Sequence, residues 1–176
     1  MKTDELIHLL VADDRPVQRN AIEQRFLVAT LAGMAGAGVL MLALFGLRPD
    51  LLATMALPMF WGKLVFAAAL AAAGLALLRR MARPGMPLGH AVLWLAVPPL
   101  VLWAMALGAL WQVPAAERVP LILGSTWRTC PFSIAALSVP AFVAGFWALK
   151  GAAPTRLAWA GAGAGLLAGA LGALVY

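Results

Sequence analysis

Five long stretches of the chain are apolar and almost free of charge, and they constrain the fold more than any other feature. Each is close to the roughly 20 residues that a tilted helix needs to cross a bilayer. A segment in lipid must satisfy its own backbone hydrogen bonds, which favours helices over strands. The sequence therefore predicts an all-α membrane protein, a polytopic bundle with five transmembrane helices, at Phe26–Leu47, Pro58–Leu78, Ala91–Val113, Thr129–Leu149 and Leu157–Tyr176.

The overall composition excludes an ordinary soluble domain. Hydrophobic residues make up 64% of the chain and charged residues only 11%, against about 25% charged residues in a typical soluble domain. The formal charge of +6 does not come from a basic run with interleaved aromatic residues, so we expect no direct contact with nucleic acid. In a chain that spans a membrane, such an excess of Lys and Arg reports topology instead.

The distribution of basic residues predicts the orientation of the chain. Nine Lys and Arg residues fall in the N-terminal segment and in the loops after the second and fourth spans, whereas four fall on the opposite side. The positive-inside rule therefore places the N-terminus in the cytoplasm. We expect a multi-pass protein with a cytoplasmic segment over residues 1–25 and a transmembrane domain over residues 26–176.

The cytoplasmic segment begins with a short amphipathic pattern. Apolar side chains cover one arc of a helix that starts after Thr3, and acidic side chains occupy the other. Such a helix either rests on the lipid surface or lays its apolar face in the groove of a partner protein. The polar face is acidic and does not suit anionic lipid, which favours the partner. The candidate partner-binding residues are Asp4, Glu5, Leu6, Ile7, Leu9, Leu10, Asp13 and Asp14.

The single cysteine of the chain, Cys130, is the candidate signal-sensing residue. The predicted topology places it at the outer end of the fourth span, beside Arg128 and next to Pro131. A thiol at a helix start beside an arginine is expected to be reactive, and the space outside a bacterial inner membrane is oxidising. Two interpretations stand: a redox or thiophilic-metal sensor formed by Cys130 and Arg128, or a small apolar residue at a packed helix end.

Small and aromatic residues within the spans predict packing contacts. Gly161, Gly165 and Gly169 repeat at four-residue spacing in the last span, a pattern typical of close helix packing within a bundle and also of homo-oligomer interfaces. Trp94 and Trp103 lie away from the ends of the third span. We therefore expect them to pack inside the protein rather than to belong to an interfacial belt.

Motifs for enzymatic chemistry are missing from the sequence. It contains no nucleophile–base constellation, metal-binding spacing or phosphate loop, so we expect neither an enzyme nor a cofactor, and no certain metal ligand. The alternative function is that of a small transporter or channel subunit. Charged residues within spans usually mark such pathways, and only Lys63 qualifies, near the end of the second span.

Several stretches, taken in order along the whole chain, resemble the NrsF family of membrane anti-sigma factors, the negative regulators of sigma F. The stretches that carry the resemblance are MKTDELIHLL, GLRPDL, PMFWGKL, STWRTC, and APTR followed by GLLAGALGALVY. The resemblance implies a six-helix protein of the bacterial inner membrane. It implies that the N-terminal segment holds an extracytoplasmic-function sigma factor inactive.

The resemblance also implies two cysteines on the periplasmic side, associated with sensing oxidants or heavy metals. Cys130 falls on the first of them. Members of the family continue beyond the position of Tyr176 into a loop with the second cysteine and a sixth helix, and this sequence contains neither. The sequence has only the first of these cysteines, so the resemblance supports the sensing mechanism less than it supports sigma binding, for which the expected segment is present.

Overall fold

The computed structural model describes residues 20–46, 51–83, 89–124, 127–152, 154 and 156–176. Those residues form helices and no strand, which confirms the predicted all-α fold class. Five of the helices are long and apolar enough to cross a membrane. The helices are α1 (Ala21–Phe45), α2 (Leu51–Met55), α3 (Pro58–Met81), α4 (Ala91–Trp111), α5 (Ala115–Leu123), α6 (Cys130–Lys150) and α7 (Leu157–Val175).

The limits of the long helices follow the limits of the uncharged runs. The predicted ends of α3, α4, α6 and α7 agree with the structure to within three residues, whereas α1 begins five residues before the predicted Phe26. Pro58 opens α3, where the lost N–H has no helical acceptor and the fixed φ suits the helix. Because α1 begins at Ala21, the predicted boundary between residues 25 and 26 lies inside a continuous helix.

Four of the helices, α1, α3, α6 and α7, form the packed body of the protein. Its centre holds large side chains with almost no exposed surface, Phe26, Leu77, Leu78 and Leu137. Elsewhere in the body the residues on the packed faces are mostly Ala and Gly. Small residues allow helix backbones to approach closely, and such packing drives helix association where lipid removes the hydrophobic effect.

Three glycines mark the closest approaches in this body. A Cβ at Gly33 of α1 would lie 2.6 Å from the Cα of Ala141 in α6. A Cβ at Gly172 of α7 would lie 2.8 Å from the backbone oxygen of Ile134 in α6, and one at Gly74 of α3 would lie 3.1 Å from the backbone nitrogen of Leu167. The first two contacts are with backbone or Cα atoms that cannot turn away, so these helix pairs require glycine.

Helices α4 and α5 lie outside the packed body. Among the described helices, α4 makes its extended contact with α3, and α5 makes none. Trp94 and Trp103 of α4 are both exposed on the surface of the chain, so the expectation that they pack inside the protein is wrong. Lipid is as apolar as a protein core, and a large apolar side chain in a span therefore does not indicate which way it faces.

Candidate functional site

The predicted partner-binding residues lie outside the described part of the chain, which starts at Asn20. They are Asp4, Glu5, Leu6, Ile7, Leu9, Leu10, Asp13 and Asp14. The structure does describe the point where this segment joins the helical body, at the first turns of α1. Because the segment enters the body there, the contacts of those turns decide how firmly its base is held.

Arg25 fixes the start of α1 against the end of α6. Its Nη2 donates a hydrogen bond to the backbone oxygen of Trp147 at 3.0 Å, and the guanidinium carbon lies 4.4 Å from the centroid of the Trp147 ring. The guanidinium also lies against Gly151, where any side chain would collide with it. A cation that bonds the last carbonyl groups of a helix also opposes the negative end of the helix dipole. Arg25 therefore forms a clamp on α6.

An ion pair ties the same end of α1 to the end of α3. Arg83 Nη2 donates to Glu23 Oε1 at 3.0 Å, and both side chains are about half exposed. An exposed pair of this kind contributes little to stability. Together with the Arg25 clamp, it joins the first turns of α1 to two other helices at one end of the bundle.

Cys130, the predicted sensing residue, is the first residue of α6, with Thr129 in the cap position. The side chain is partly buried and the thiol is free. Ser133, one turn further on, is buried and donates from its Oγ to the backbone oxygen of Thr129 at 3.0 Å. The predicted partner Arg128 lies over the ring of Trp127, with 5.0 Å between its guanidinium carbon and the ring centroid.

Helix α6 connects the two ends of the molecule. It starts at Cys130 and ends at Lys150, a rise of roughly 30 Å for a helix of its length. Trp147, in its last turn, is the residue that Arg25 clamps. The thiol and the base of the N-terminal segment therefore lie at opposite ends of a single helix.

The glycine ridge predicted to pack within the bundle does not do so. Gly161 and Gly165 are exposed, Gly169 is partly exposed, and a Cβ at any of them would meet no atom within 4 Å. The helix packs instead through Gly163, on the opposite face, and through Gly172, near its C-terminal end. Spacing alone did not separate the two faces because α7 carries small residues around most of its circumference.

A cleft of about 510 Å³ lies where the ends of α1 and α7 meet the start of α3. Lys63 is the one charged side chain among its lining residues, and its Nζ lies 5.0 Å from the ring centroid of Tyr176. The remaining lining is mainly apolar. Among the described residues, no group of three His, Cys, Asp or Glu side chains could hold a metal ion. The mainly apolar lining of the cleft does not supply the polar pathway that a transporter needs.

The comparison with known proteins assigns the family. A family model described as "Negative regulator of sigma F" matches residues 10–176. The chain belongs to this family. Similar proteins include the "Probable anti-sigma-F factor NrsF" of Azospira oryzae, 44% identical over 176 residues, and the "Anti-sigma-F factor NrsF" of Caulobacter vibrioides, 35% identical over 182 residues. Each match covers 100% of this chain and 83% of the relative. No solved structure matches the chain significantly.

Membership of the NrsF family confirms the resemblance found in the sequence. The sequence did not single out the Arg25 clamp, although its components are visible there. Arg25 is the last charged residue before an uncharged span, and Trp147 and Gly151 flank the end of another. Only the arrangement of the helices brings these three residues together.

Proposed function

We propose that this chain is a membrane-bound anti-sigma factor. The observation that carries the proposal is the match of the negative-regulator family over residues 10–176, supported by two relatives that are named anti-sigma-F factors. The role is regulatory, through binding of a protein partner, and involves no catalysis. The partner is a sigma factor of the extracytoplasmic-function class, kept inactive at the inner membrane of a bacterium.

The N-terminal segment is the proposed sigma-binding element. It lies on the side of the membrane that carries the excess of Lys and Arg, which the positive-inside rule assigns to the cytoplasm. Leu6, Ile7, Leu9 and Leu10 offer an apolar face for a groove. Asp4, Glu5, Asp13 and Asp14 complement the basic surfaces with which a sigma factor meets DNA or polymerase, and they mainly accelerate encounter.

The contacts at the start of α1 support this assignment. Arg25 and Glu23 hold the base of the segment against α6 and α3. A binding helix that is attached to a fixed base keeps a bound partner close to the membrane surface. The same clamp offers a route by which a change in α6 reaches the segment, because α6 has Cys130 at its other end.

Co-purification tests the sigma-binding element. The full-length chain in detergent should retain a purified extracytoplasmic-function sigma factor from the same organism, and Leu6→Asp with Leu9→Asp should release it, because two charges would enter the apolar face. His8→Asp is the matched control, since it adds a carboxylate on the opposite arc and should leave binding intact. Retention by the double variant would refute the docking face, and failure of the unchanged chain to bind any such sigma factor would refute the function.

The proposed sensing residues are Cys130 and Arg128. An oxidant such as hydrogen peroxide would convert the thiol to a sulfenic acid with release of water, and a thiophilic metal ion would bind the thiolate. Either event should lower sigma-factor retention by the unchanged chain and leave Cys130→Ser unaffected. Equal release from both proteins would show that the signal does not act through this thiol.

The exposed ridge of Gly161, Gly165 and Gly169 is proposed to contact a second copy of the chain. Close approach of small residues is the common basis of helix pairing in membranes. Gly165→Leu should then lower the oligomeric mass measured by light scattering in detergent, with sigma binding unchanged. An unaltered mass would remove the ridge as an oligomer interface.

A further inference from the structure

Helix α5, which the transmembrane pattern of the sequence did not predict, is a short helix with two different faces. Val119, Ile122 and Leu123 fall within an arc of about 100° on a helical wheel, and Glu117 lies opposite that arc. Arg118 lies at its edge, with its Nε donating to the backbone oxygen of Val113 at 3.1 Å. Leu121 is the exception, on the side of Glu117.

The apolar face of α5 is uncovered in the folded chain. Val119, Ile122 and Leu123 are 61%, 65% and 43% exposed, and no residue of α5 is buried. The helix makes no extended contact with another described helix. A contiguous apolar face on the outside of a protein usually marks an interaction surface.

The position of α5 in the chain indicates what covers that face. The helix lies between the end of α4 at Trp111 and the start of α6 at Cys130, which are the ends of two successive spans at one face of the bilayer. Exposed tryptophans flank it on both sides, Trp111 and Trp127. Tryptophan prefers the boundary between headgroups and acyl chains, so both anchors hold α5 at that level.

We propose that α5 is an interfacial helix that lies flat on the bilayer, with Val119, Ile122 and Leu123 among the acyl chains. Helices of this kind bury their apolar face about 5–10 Å into the headgroup region. Nine residues bind lipid weakly on their own, but attachment to two spans keeps the helix at the surface and makes its docking intramolecular. On the proposed topology this surface is the outer leaflet, opposite the sigma-binding segment.

The docked helix would also fix the depth of the residues that follow it. Gly124, which follows the last residue of α5, has a positive φ. Cys130 starts α6 six residues later. With α5 held in the interface, the Cys130 end of α6 stays at headgroup level. Agents dissolved in water and agents dissolved in lipid would both reach the thiol there.

Depth-dependent fluorescence quenching tests the position of α5 and does not depend on sigma binding. The full chain carrying Cys130→Ser receives one new cysteine, through Ile122→Cys or, as the matched control on the opposite face, Glu117→Cys. Each variant is labelled with a small fluorophore and reconstituted in vesicles of phosphatidylethanolamine and phosphatidylglycerol. Lipids with a nitroxide near the headgroup should quench the label at position 122 several-fold more than the label at 117. Aqueous iodide should give the reverse order.

Three outcomes would overturn the proposal. Equal quenching of both labels by iodide would place α5 in water. Protection of the label at 122 from both quenchers would mean that the apolar face is covered by protein, either a second copy of the chain or another partner. Strong lipid quenching of both labels would place the whole helix inside the acyl region. Val119→Cys on the apolar face and Leu121→Cys on the side of Glu117 repeat the comparison in case one labelled variant fails to elute as a folded protein on size exclusion.

Discussion

The packed body of α1, α3, α6 and α7 differs from the peripheral pair α4 and α5 in the kind of residue that meets its neighbours. In the body, glycine and alanine bring backbones into contact. In α4, large apolar residues cover most of the surface and one face reaches α3. In a lipid environment, side-chain size rather than hydrophobicity therefore decides which helix surfaces associate. The stability of the protein should therefore depend far more on the body than on the periphery.

The largest effect is expected from Gly33→Leu. The new Cβ would lie 2.6 Å from the Cα of Ala141, so α1 and α6 would have to separate, at a cost of about 3 kcal/mol or more. Gly38→Leu in the same helix is the control, because a Cβ there meets nothing within 4 Å. Thermal unfolding in detergent should show a large loss of stability for the first variant alone. Equal loss in both would mean that glycine itself, rather than the close approach, matters to α1.

Truncating a leucine separates the body from the periphery directly. Leu137 of α6 is 0% exposed and Leu100 of α4 is 65% exposed. Leu137→Ala should lower the free energy of unfolding by about 2 kcal/mol or more, because it leaves a cavity. Leu100→Ala should change it by less than ~0.5 kcal/mol, as for other surface substitutions. A similar loss for the two variants would show that α4 is buried by contacts beyond those within this chain.

Arg25→Met should have an intermediate effect. It removes the hydrogen bond to Trp147 and the cation–π contact, and we expect a loss of about 1–2 kcal/mol. Trp147→Leu keeps the backbone acceptor and removes only the ring, so it should cost less than Arg25→Met. If the two variants lost the same stability, the ring contact would account for the whole clamp.

The Glu23–Arg83 pair is expected to contribute least. Its two side chains are about half exposed, so a double-mutant cycle with Glu23→Gln and Arg83→Met should give a coupling energy of about 0.2–1 kcal/mol. The coupling should decrease at high salt because exposed charges are screened. A larger coupling energy that does not decrease at high salt would show that this pair stabilises the protein about as much as the Arg25 clamp does.

The sequence predicted the number, type and approximate limits of the spans because charge-free length is a direct requirement of the bilayer. It could not predict which faces pack. The glycines of α7 all have small or apolar neighbours in the sequence. Only Gly163 and Gly172 meet other helices, whereas Gly161, Gly165 and Gly169 do not. For Trp94 and Trp103 too, the sequence does not distinguish a side chain that faces lipid from one that packs inside the protein. The charge-free pattern does not predict the short helix α5, although Pro114 before it and Gly124 after it are recognisable boundary residues.

The candidate site was predictable in part. The sequence placed Cys130 at the start of a span, and the structure has it as the first residue of α6. The predicted partner Arg128 lies over Trp127. Arg25 was not predicted as a contact residue because its partners, Trp147 and Gly151, come much later in the chain. Contacts of that kind depend on how the helices are arranged and leave no local pattern in the sequence.

The pairing of Gly33 with Ala141 has a consequence for how the protein is made. The ribosome completes Ala141 more than a hundred residues after Gly33, and at ~5–20 residues per second this takes roughly 5–20 s. During that time α1 sits in the bilayer without the helix that later covers its glycines. By contrast, α4 follows directly after α3, its main contact, so that hairpin can assemble as soon as both helices have been inserted. Assembly of the body must therefore wait for the second half of the chain.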